Sequence, residues 1–330
     1  MTSSGGGWDP LEAGPATSRQ FIVGASGWVG KLAQVHLRVE HTTRYRYETP
    51  AWDSFNELRL RPADDYRQTL LAFDLRTDPP TELRSQRDQH GTLTHQFHLA
   101  ARHSELTVTA SSLVETYAVP IPIPVSASTL PNLRHRFFTY LAPTKRVPLD
   151  LDWFQLLGAL PLAPGQNLAN YLDELTAYLR TRFRYLPNAT NVDTPLAEFV
   201  AAGAGVCQDY THAMLALCRQ AGIPARYVSG YVHANPSGEL QLLGSEGSHA
   251  WVEAFLPGNG WVGFDPTNGR PVEEAYVKIG VGTDYDDVPP VWGLRRGGGH
   301  GQMEVEVSVR LEAGESGSPA EMAWATADEA

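Results

Sequence analysis

The sequence predicts an α+β protein whose strands and helices occupy different stretches of the chain. Between residues 35 and 118, apolar and polar residues alternate with period two, which is typical of half-buried antiparallel strands. Between residues 172 and 220, apolar residues recur instead at helical spacing. Strand patterns return from residue 226 onward, and Val305, Val307 and Val309 alternate with polar residues near the end. The order is therefore strands, then helices, then strands.

The chain has 330 residues, which favours two domains because single hydrophobic cores stop growing at about 250 to 300 residues. Glycine-rich and serine-rich ends read as tails, and a proline-rich stretch begins at Pro120. The predicted organisation is a disordered tail at 1–32, an antiparallel β-sandwich domain at 33–120, a linker at 121–160, a catalytic domain at 161–311 and a disordered tail at 312–330.

Composition limits the partners and the compartment. Hydrophobic residues make up 42% of the chain, enough for a core, and 26 basic against 37 acidic residues give a net charge of −11. This acidity argues against nucleic acid or an anionic membrane as the main partner. No run of about 20 apolar residues predicts a membrane helix. Phe21–Val29 is interrupted by glycines and is a poor signal peptide, so we expect a cytoplasmic protein.

The two cysteines, Cys207 and Cys218, lie in one helical stretch. Eleven residues of helix separate them by roughly 16 Å, too far for a disulfide. Cys218 lies in the apolar stripe of that helix and is predicted to be core. Cys207 lies at the helix start, where the partial positive charge stabilises a thiolate and the backbone N–H can face an oxyanion. Taken alone, Cys207 could equally be a small buried core residue.

Two further residues can complete a thiol site. His249 begins a predicted strand, and Asp265 ends the next one after the turn Pro257-Gly258-Asn259-Gly260. A hairpin centred near Pro257 would place the aspartate beside the histidine, where it can fix the imidazole tautomer. Each residue alone has a structural alternative, a packed strand histidine or a turn-forming aspartate. Together, the three residues predict a nucleophile, a base and an orienting carboxylate.

Other polar clusters are weaker candidates. His95 and His98 would point to opposite faces of a strand, so they do not predict a metal site. Asp284, Asp286 and Asp287 lack the loop of a calcium site and read as a surface turn. Asp209 and His212, on the helix of Cys207, are interpreted as structural. No cofactor or metal is expected.

Several motifs resemble those of bacterial transglutaminase-like proteins. They are Gly205-Val206-Cys207-Gln208-Asp209-Tyr210-Thr211-His212, Ala221-Gly222-Ile223-Pro224-Ala225-Arg226-Tyr227-Val228, Ser248-His249-Ala250-Trp251-Val252-Glu253, Gly263-Phe264-Asp265-Pro266-Thr267-Asn268 and Asp284-Tyr285-Asp286-Asp287-Val288-Pro289-Pro290. The N-terminal stretches Glu40–Tyr47 and Phe55–Pro62 are similar to the β-domain of that family. The resemblance covers about residues 33 to 311. It implies a papain-like α+β core with Cys207 as nucleophile, His249 as base and Asp265 as orienter.

These observations predict an acyl-transfer enzyme that acts on amide or peptide bonds through a thioester, in the manner of a peptidase or amidase. A protein-glutamine transglutaminase and a non-catalytic binding protein on the same fold are the alternatives. A peptide or protein is the expected substrate. The sequence does not predict its identity, the second oxyanion donor, the role of the β-domain or the oligomeric state.

Overall fold

The computed structural model describes residues 34–118, 120–234, 241–245 and 247–312. It confirms the α+β class, with a strand-rich fold and few helices. The tails predicted at 1–32 and 312–330 lie outside the described residues, except for Glu312, which ends the last strand. No helix in the described part of the chain is long and apolar enough to cross a membrane.

The N-terminal strands are antiparallel, as their period-two pattern predicts, and they form one sheet where a β-sandwich was expected. Their bounds are β1 (Gln34–Leu58), β2 (Gln68–Asp78), β3 (Arg84–Arg87), β4 (Leu93–Leu99) and β5 (His103–Tyr117). They lie in the order β2-β5-β1-β4-β3.

The long strand β1 bends in the middle. Its first half pairs with β5, its second half pairs with β4, and the register shifts between Arg46 and Ala51. Leu58 on the second half packs in one buried cluster with Leu106 and Val108 of β5. The two halves of the sheet therefore share a core, which is why the sheet curls.

The helical segment follows. It contains α1 (Trp153–Leu157), α2 (Leu168–Arg182), β6 (Arg184–Tyr185), α3 (Leu196–Ala202), β7 (Ala204–Gly205) and α4 (Cys207–Gln220), and two 3-10 helices precede it at Ala127–Leu133 and Phe138–Tyr140. The predicted linker, 121–160, contributes Val147 and Trp153 to the core around α4.

Helix α4 is the central element of the fold. Every residue from Gln208 to Arg219 is buried, so neighbours cover the helix on all sides rather than along one stripe. It ends before Gly222, whose φ of 76° is the left-handed conformation that favours glycine. Its predicted start and end are both confirmed. Because its N-terminus is fixed by this packing, the first residue, Cys207, has a defined position.

A second antiparallel sheet packs against α4. Its strands are β8 (Ala225–Val232), β9 (His249–Leu256), β10 (Gly260–Asp265), β11 (Arg270–Pro271) and β12 (Tyr276–Gly282), in the order β11-β10-β9-β8-β12. Ala250, Val252 and Ala254 of β9 face the core shared with α4. The opposite face of β9 therefore carries His249, Trp251 and Glu253.

The chain ends back on the first sheet. After a 3-10 turn at Tyr285–Asp287 come β13 (Val291–Gly297) and β14 (Gly301–Glu312). Both pair with β1 in antiparallel register. The alternating pattern at 305–311 is thus confirmed as a strand, and it hydrogen-bonds to the N-terminal sheet.

Candidate active site

Cys207 is the first residue of α4, and the residues around it fix that helix start. The Asp209 carboxylate accepts hydrogen bonds from the Val206 backbone N–H at 2.8 Å and from the Thr190 hydroxyl at 2.6 Å. A side chain at Gly205 would collide with Asp209 and with the Phe199 ring, so only glycine fits there. Asp209 is therefore structural, as expected. Cys207 has one of the N–H groups that a helix start leaves without an intrahelical partner.

The two cysteines differ as the sequence predicts. Cys218 is completely buried, and burial raises the pKa of its thiol to about 12. Cys207 is only partly buried. Since a thiolate is the reactive form, Cys218 is inert and Cys207 is the reachable thiol.

His249 begins β9 and Asp265 ends β10, and the two side chains meet. Nε2 of His249 lies 2.8 Å from Oδ2 of Asp265, and both side chains are fully buried. The hairpin register is offset by two residues from the sequence-based prediction, because Gly260 pairs with Leu256 and Phe264 with Val252. Three residues, 257–259, form the connection, and Gly258 adopts a φ of 81°. Asp265 thus approaches His249 diagonally rather than from directly opposite.

Asp265 is held as a carboxylate by a full set of hydrogen bonds. Its Oδ1 accepts from the backbone N–H of Thr267 at 2.9 Å and of Asn268 at 3.2 Å. Its Oδ2 accepts from His249, from Asn268 Nδ2 at 2.7 Å and from the Tyr276 hydroxyl at 2.8 Å. Burial alone would raise its pKa, but His249 and these donors lower the pKa below its ordinary value. The carboxylate therefore stays charged without solvent.

The environment of His249 favours the charged imidazolium. Burial lowers its pKa, but the Asp265 carboxylate and the nearby Cys207 thiol outweigh burial and raise the pKa to about 10. Because Nε2 donates to Asp265, Nδ1 is the nitrogen left for the thiol. Nδ1 is buried and makes no hydrogen bond of standard geometry, yet the Cys207 thiol is near enough to contribute to the raised pKa of the imidazole. Long or poorly aligned catalytic hydrogen bonds are common in thiol and serine sites without substrate.

Aromatic rings line the neighbourhood of Cys207. Tyr227 is fully buried and Tyr285 is partly buried; burial raises the pKa of both phenols, and a charge on Cys207 would add to this effect. His212 is also buried, and burial lowers its pKa to about 3. It accepts a hydrogen bond from the Tyr285 backbone at 3.4 Å. His212 is therefore a neutral packing residue, in agreement with its interpretation as structural.

The residues considered for metal binding serve other contacts. His95 packs against Phe73, and His98 stacks on Phe55 at 4.0 Å between ring centroids. Within the ranges that the structure describes, no group of three histidine, cysteine or acidic side chains is placed to hold a metal ion.

Sequence reasoning missed two residues that contact Asp265. Asn268 stands three positions later in the quoted Asp-Pro-Thr-Asn motif, which was a usable signal. Tyr276 lies on β12, at the far side of the sheet from β10, and nothing in the local sequence links it to the aspartate. A contact between distant strands requires the tertiary fold.

Fold and site together define a class of protein: an α+β chain with a cysteine at a helix start and a buried histidine–aspartate pair on the adjoining sheet. Residues 162–266 match the family model described as Transglutaminase-like superfamily. Residues 37–115 match the model described as Bacterial transglutaminase-like N-terminal region.

The chain is also similar to individual proteins. It is 36% identical over 282 residues to an uncharacterized protein of Mycobacterium leprae, covering 83% of this chain and 98% of that one. It is 38% identical over 102 residues to a protein-glutamine gamma-glutamyltransferase of Pseudomonas aeruginosa, covering 28% of this chain and 15% of that one. A crystal structure from Cytophaga hutchinsonii, described as a candidate cysteine protease, shares the fold with a TM-score of 0.68 and 20% identity, covering 86% of this chain and 92% of that one.

The chain belongs to the transglutaminase-like superfamily and carries the bacterial N-terminal region of that family.

Proposed function

We propose that this protein is a thiol acyl-transfer enzyme that acts on amide or peptide bonds. Cys207 is the nucleophile, His249 the general base and Asp265 the residue that orients the base. The observation that carries the proposal is the buried 2.8 Å contact between His249 and Asp265 beside the reachable thiol at the start of α4. The opposite environments of the two cysteines support Cys207, rather than Cys218, as the nucleophile.

The reaction proceeds in two steps. The Cys207 sulfur attacks the carbonyl carbon, the carbon–nitrogen bond breaks, and the proton taken up by His249 passes to the leaving amine. The product of this step is a thioester on Cys207. Water or a primary amine then attacks the thioester, gives its proton to His249 and releases the acyl group. Atoms and protons balance, and no cofactor takes part.

The start of α4 supports the developing negative charge. The backbone N–H of Cys207 lies in the first turn, where a helix leaves its N–H groups unpaired and carries partial positive charge. An oxyanion formed next to the sulfur would accept from this donor. One such donor contributes on the order of 10²-fold to 10³-fold in rate.

We propose hydrolysis, as in a peptidase or amidase, as the main activity. The similarity to a named gamma-glutamyltransferase supports the alternative, transfer of a glutamine acyl group to an amine, because it includes 102 residues at 38% identity. In either case a peptide or protein is the proposed substrate, and the net charge of −11 does not favour nucleic acid. A cytoplasmic location is proposed on the absence of any cysteine pair able to form a disulfide.

The test supplies a library of glutamine-containing peptides with a labelled primary amine. Incorporation of the label indicates transfer, whereas ammonia release or peptide cleavage without label indicates hydrolysis. The Cys207→Ala variant is the blank, and Cys218→Ala is the matched control because it removes the other thiol. If wild type and Cys207→Ala give equal turnover on every peptide, the non-catalytic alternative replaces the proposal.

A further inference from the structure

A short stretch of backbone covers the imidazole of His249. A Cβ added at Gly244 would overlap Nδ1 of His249, so the backbone of Gly244 lies directly against the nitrogen that faces the thiol. Gly244 also has a φ of 83°, which favours glycine. We name the backbone of Leu243 and Gly244 the 243–244 wall. The 243–244 wall therefore borders the imidazole at its Nδ1 edge.

One side chain holds the wall in place. Oδ1 of Asn268 accepts a hydrogen bond from the Leu243 N–H at 2.8 Å, and Nδ2 of Asn268 donates to the Leu243 carbonyl at 3.2 Å. The second hydrogen of Nδ2 goes to Oδ2 of Asp265 at 2.7 Å. The same amide therefore holds the wall and the carboxylate.

The orientation of this amide is fixed by chemistry. Exchanging its oxygen and nitrogen would set an N–H group against the Leu243 N–H and an oxygen against the Asp265 carboxylate. Both contacts would be repulsive, because donors would face donors and acceptors would face acceptors. Only the observed orientation satisfies all three hydrogen bonds. Asn268 therefore cannot turn its amide over and still hold both Leu243 and Asp265.

The structure assigns to Asn268 the role of a positioning residue that holds the Asp265 carboxylate and the 243–244 wall with one amide, and so sets both the orientation of His249 and the space beside the thiol. This inference rests on the proposed function, because it deepens the account of the same site. Asn268 would then determine which groups can approach Cys207 from the imidazole side. It would do so through its bonds to Leu243 and Asp265 rather than through contact with the thiol or the imidazole.

The chain offers one matched control for the bond to Asp265 and one for the pair of bonds to the Leu243 backbone. Tyr276 donates to the same Oδ2 of Asp265 at 2.8 Å, so Tyr276→Phe removes a carboxylate donor while leaving Asn268 and its contacts to Leu243 in place. Asn259 makes the same pair of bonds to Ile123: its Oδ1 accepts from the Ile123 N–H at 2.7 Å, and its Nδ2 donates to the Ile123 carbonyl at 3.0 Å. Asn259→Ala therefore removes an equivalent clamp at a distant turn.

The experiment measures alkylation of Cys207 by iodoacetamide and by the bulkier iodoacetanilide across pH, with the modified peptide quantified by mass spectrometry. For Asn268→Ala we expect the acid limb of the pH profile to move to higher pH, because Asp265 loses a donor that stabilises its charge and then supports the imidazolium less. We also expect the preference for the small reagent to fall by about tenfold, because the wall is released. The near-isosteric Asn268→Asp, which cannot donate, should change both in the same direction if Asn268→Ala does not fold.

Tyr276→Phe should move the acid limb of the pH profile and leave the preference for the small reagent unchanged. Asn259→Ala should change neither the acid limb nor that preference. The inference is overturned if both Asn268 variants keep the wild-type preference for the small reagent, or if Tyr276→Phe reduces that preference equally. Failure of the proposed function has a different signature: wild-type Cys207 would then follow the pH profile of a free cysteine peptide. The size preference can be measured in either case.

Discussion

The imidazole of His249 and the carboxylate of Asp265 form a solvent-free pair, with Nε2 and Oδ2 2.8 Å apart and both side chains fully buried. Asp265 receives five hydrogen bonds in total, so its charge is retained where water cannot reach it. The pair lies at adjacent strand ends and beside the first residue of α4. This arrangement gives the thiol of Cys207 a base of fixed orientation.

Replacing the carboxylate should abolish most turnover. Asp265→Asn keeps the size of the side chain but cannot stabilise the imidazolium or fix its tautomer. We expect kcat to fall by on the order of 10⁴-fold, the loss seen when a triad aspartate is replaced by asparagine. Asp88→Asn is the control, because Asp88 also accepts two backbone N–H groups but lies in a turn of the N-terminal sheet. Retention of more than half the activity in Asp265→Asn would contradict the role of the pair.

A methyl group at Gly244 should slow the reaction of Cys207, whereas its cost in stability should match that of a methyl group at an unobstructed glycine. Gly244→Ala places a Cβ onto Nδ1 of His249, so the imidazole must leave the position from which it serves the thiol. Gly258→Ala has an almost identical φ, 81° against 83°, but no atom lies within 4 Å of its added Cβ. We expect both to lose about 1 to 3 kcal/mol of stability from backbone strain. Only Gly244→Ala should slow the alkylation of Cys207, and equal rates in the two variants would show that the wall does not reach the imidazole.

The buried carboxylate of Glu253 should make stability depend on acid pH. Burial would raise its pKa, but Lys278 and Arg226, bonded at 2.9 and 2.8 Å, lower the pKa to about 2 from an ordinary 4.5. The stabilisation is therefore fully present above pH 4.5 and is lost as pH falls toward 2. Glu253→Gln should cost about 3 kcal/mol at pH 7, because it leaves buried cations with fewer partners.

Denaturant unfolding at pH 7, 4.5 and 2.5 checks this expectation. The difference between Glu253→Gln and wild type should shrink across the lowest interval. Glu82→Gln, which removes an exposed partner of Arg84, should stay within about 0.5 kcal/mol of wild type throughout. A constant deficit for Glu253→Gln at all three pH values would mean that the charge of Glu253 does not stabilise the fold.

The two cysteines should be distinguishable by labelling stoichiometry. In the native protein we expect one equivalent of iodoacetamide at neutral pH, all of it on Cys207, because Cys218 is fully buried and its pKa is raised to about 12. Cys218→Ala should still take one equivalent, and Cys207→Ala none. Unfolding in denaturant should raise the wild-type value to two. Native labelling of Cys218 at a comparable rate would show that α4 opens readily.

Much of the fold could be predicted because local patterns determine it. The period-two strands, the bounds of α4 and the hairpin that joins His249 to Asp265 all follow from neighbouring residues. The hairpin register could not be fixed by the midpoint of the turn, because a three-residue connection shifts the pairing by two residues. The pairing of β13 and β14 with β1 could not be predicted either, because the paired residues lie more than 200 positions apart in the sequence.

The site shows the same division. Cys207, His249 and Asp265 were selected because their residue types and local settings suit thiol chemistry. Asn268 was visible in its motif but had no assigned contact, and Tyr276 reaches Asp265 from β12, which β8 and β9 separate from β10. The 243–244 wall depends on a backbone position, and side-chain patterns do not encode such positions.

The rate of alkylation of Cys207 as a function of pH, measured beside a free cysteine peptide, tests the thiolate–imidazolium pair most directly. An unperturbed thiol with a pKa of about 8.5 is only about 3% ionised at pH 7. We expect Cys207 to react faster than the peptide at pH 6 and at pH 7, because the start of α4 and the imidazolium of His249 favour its thiolate. A rate equal to that of the peptide, rising to a midpoint near 8.5, would contradict the account.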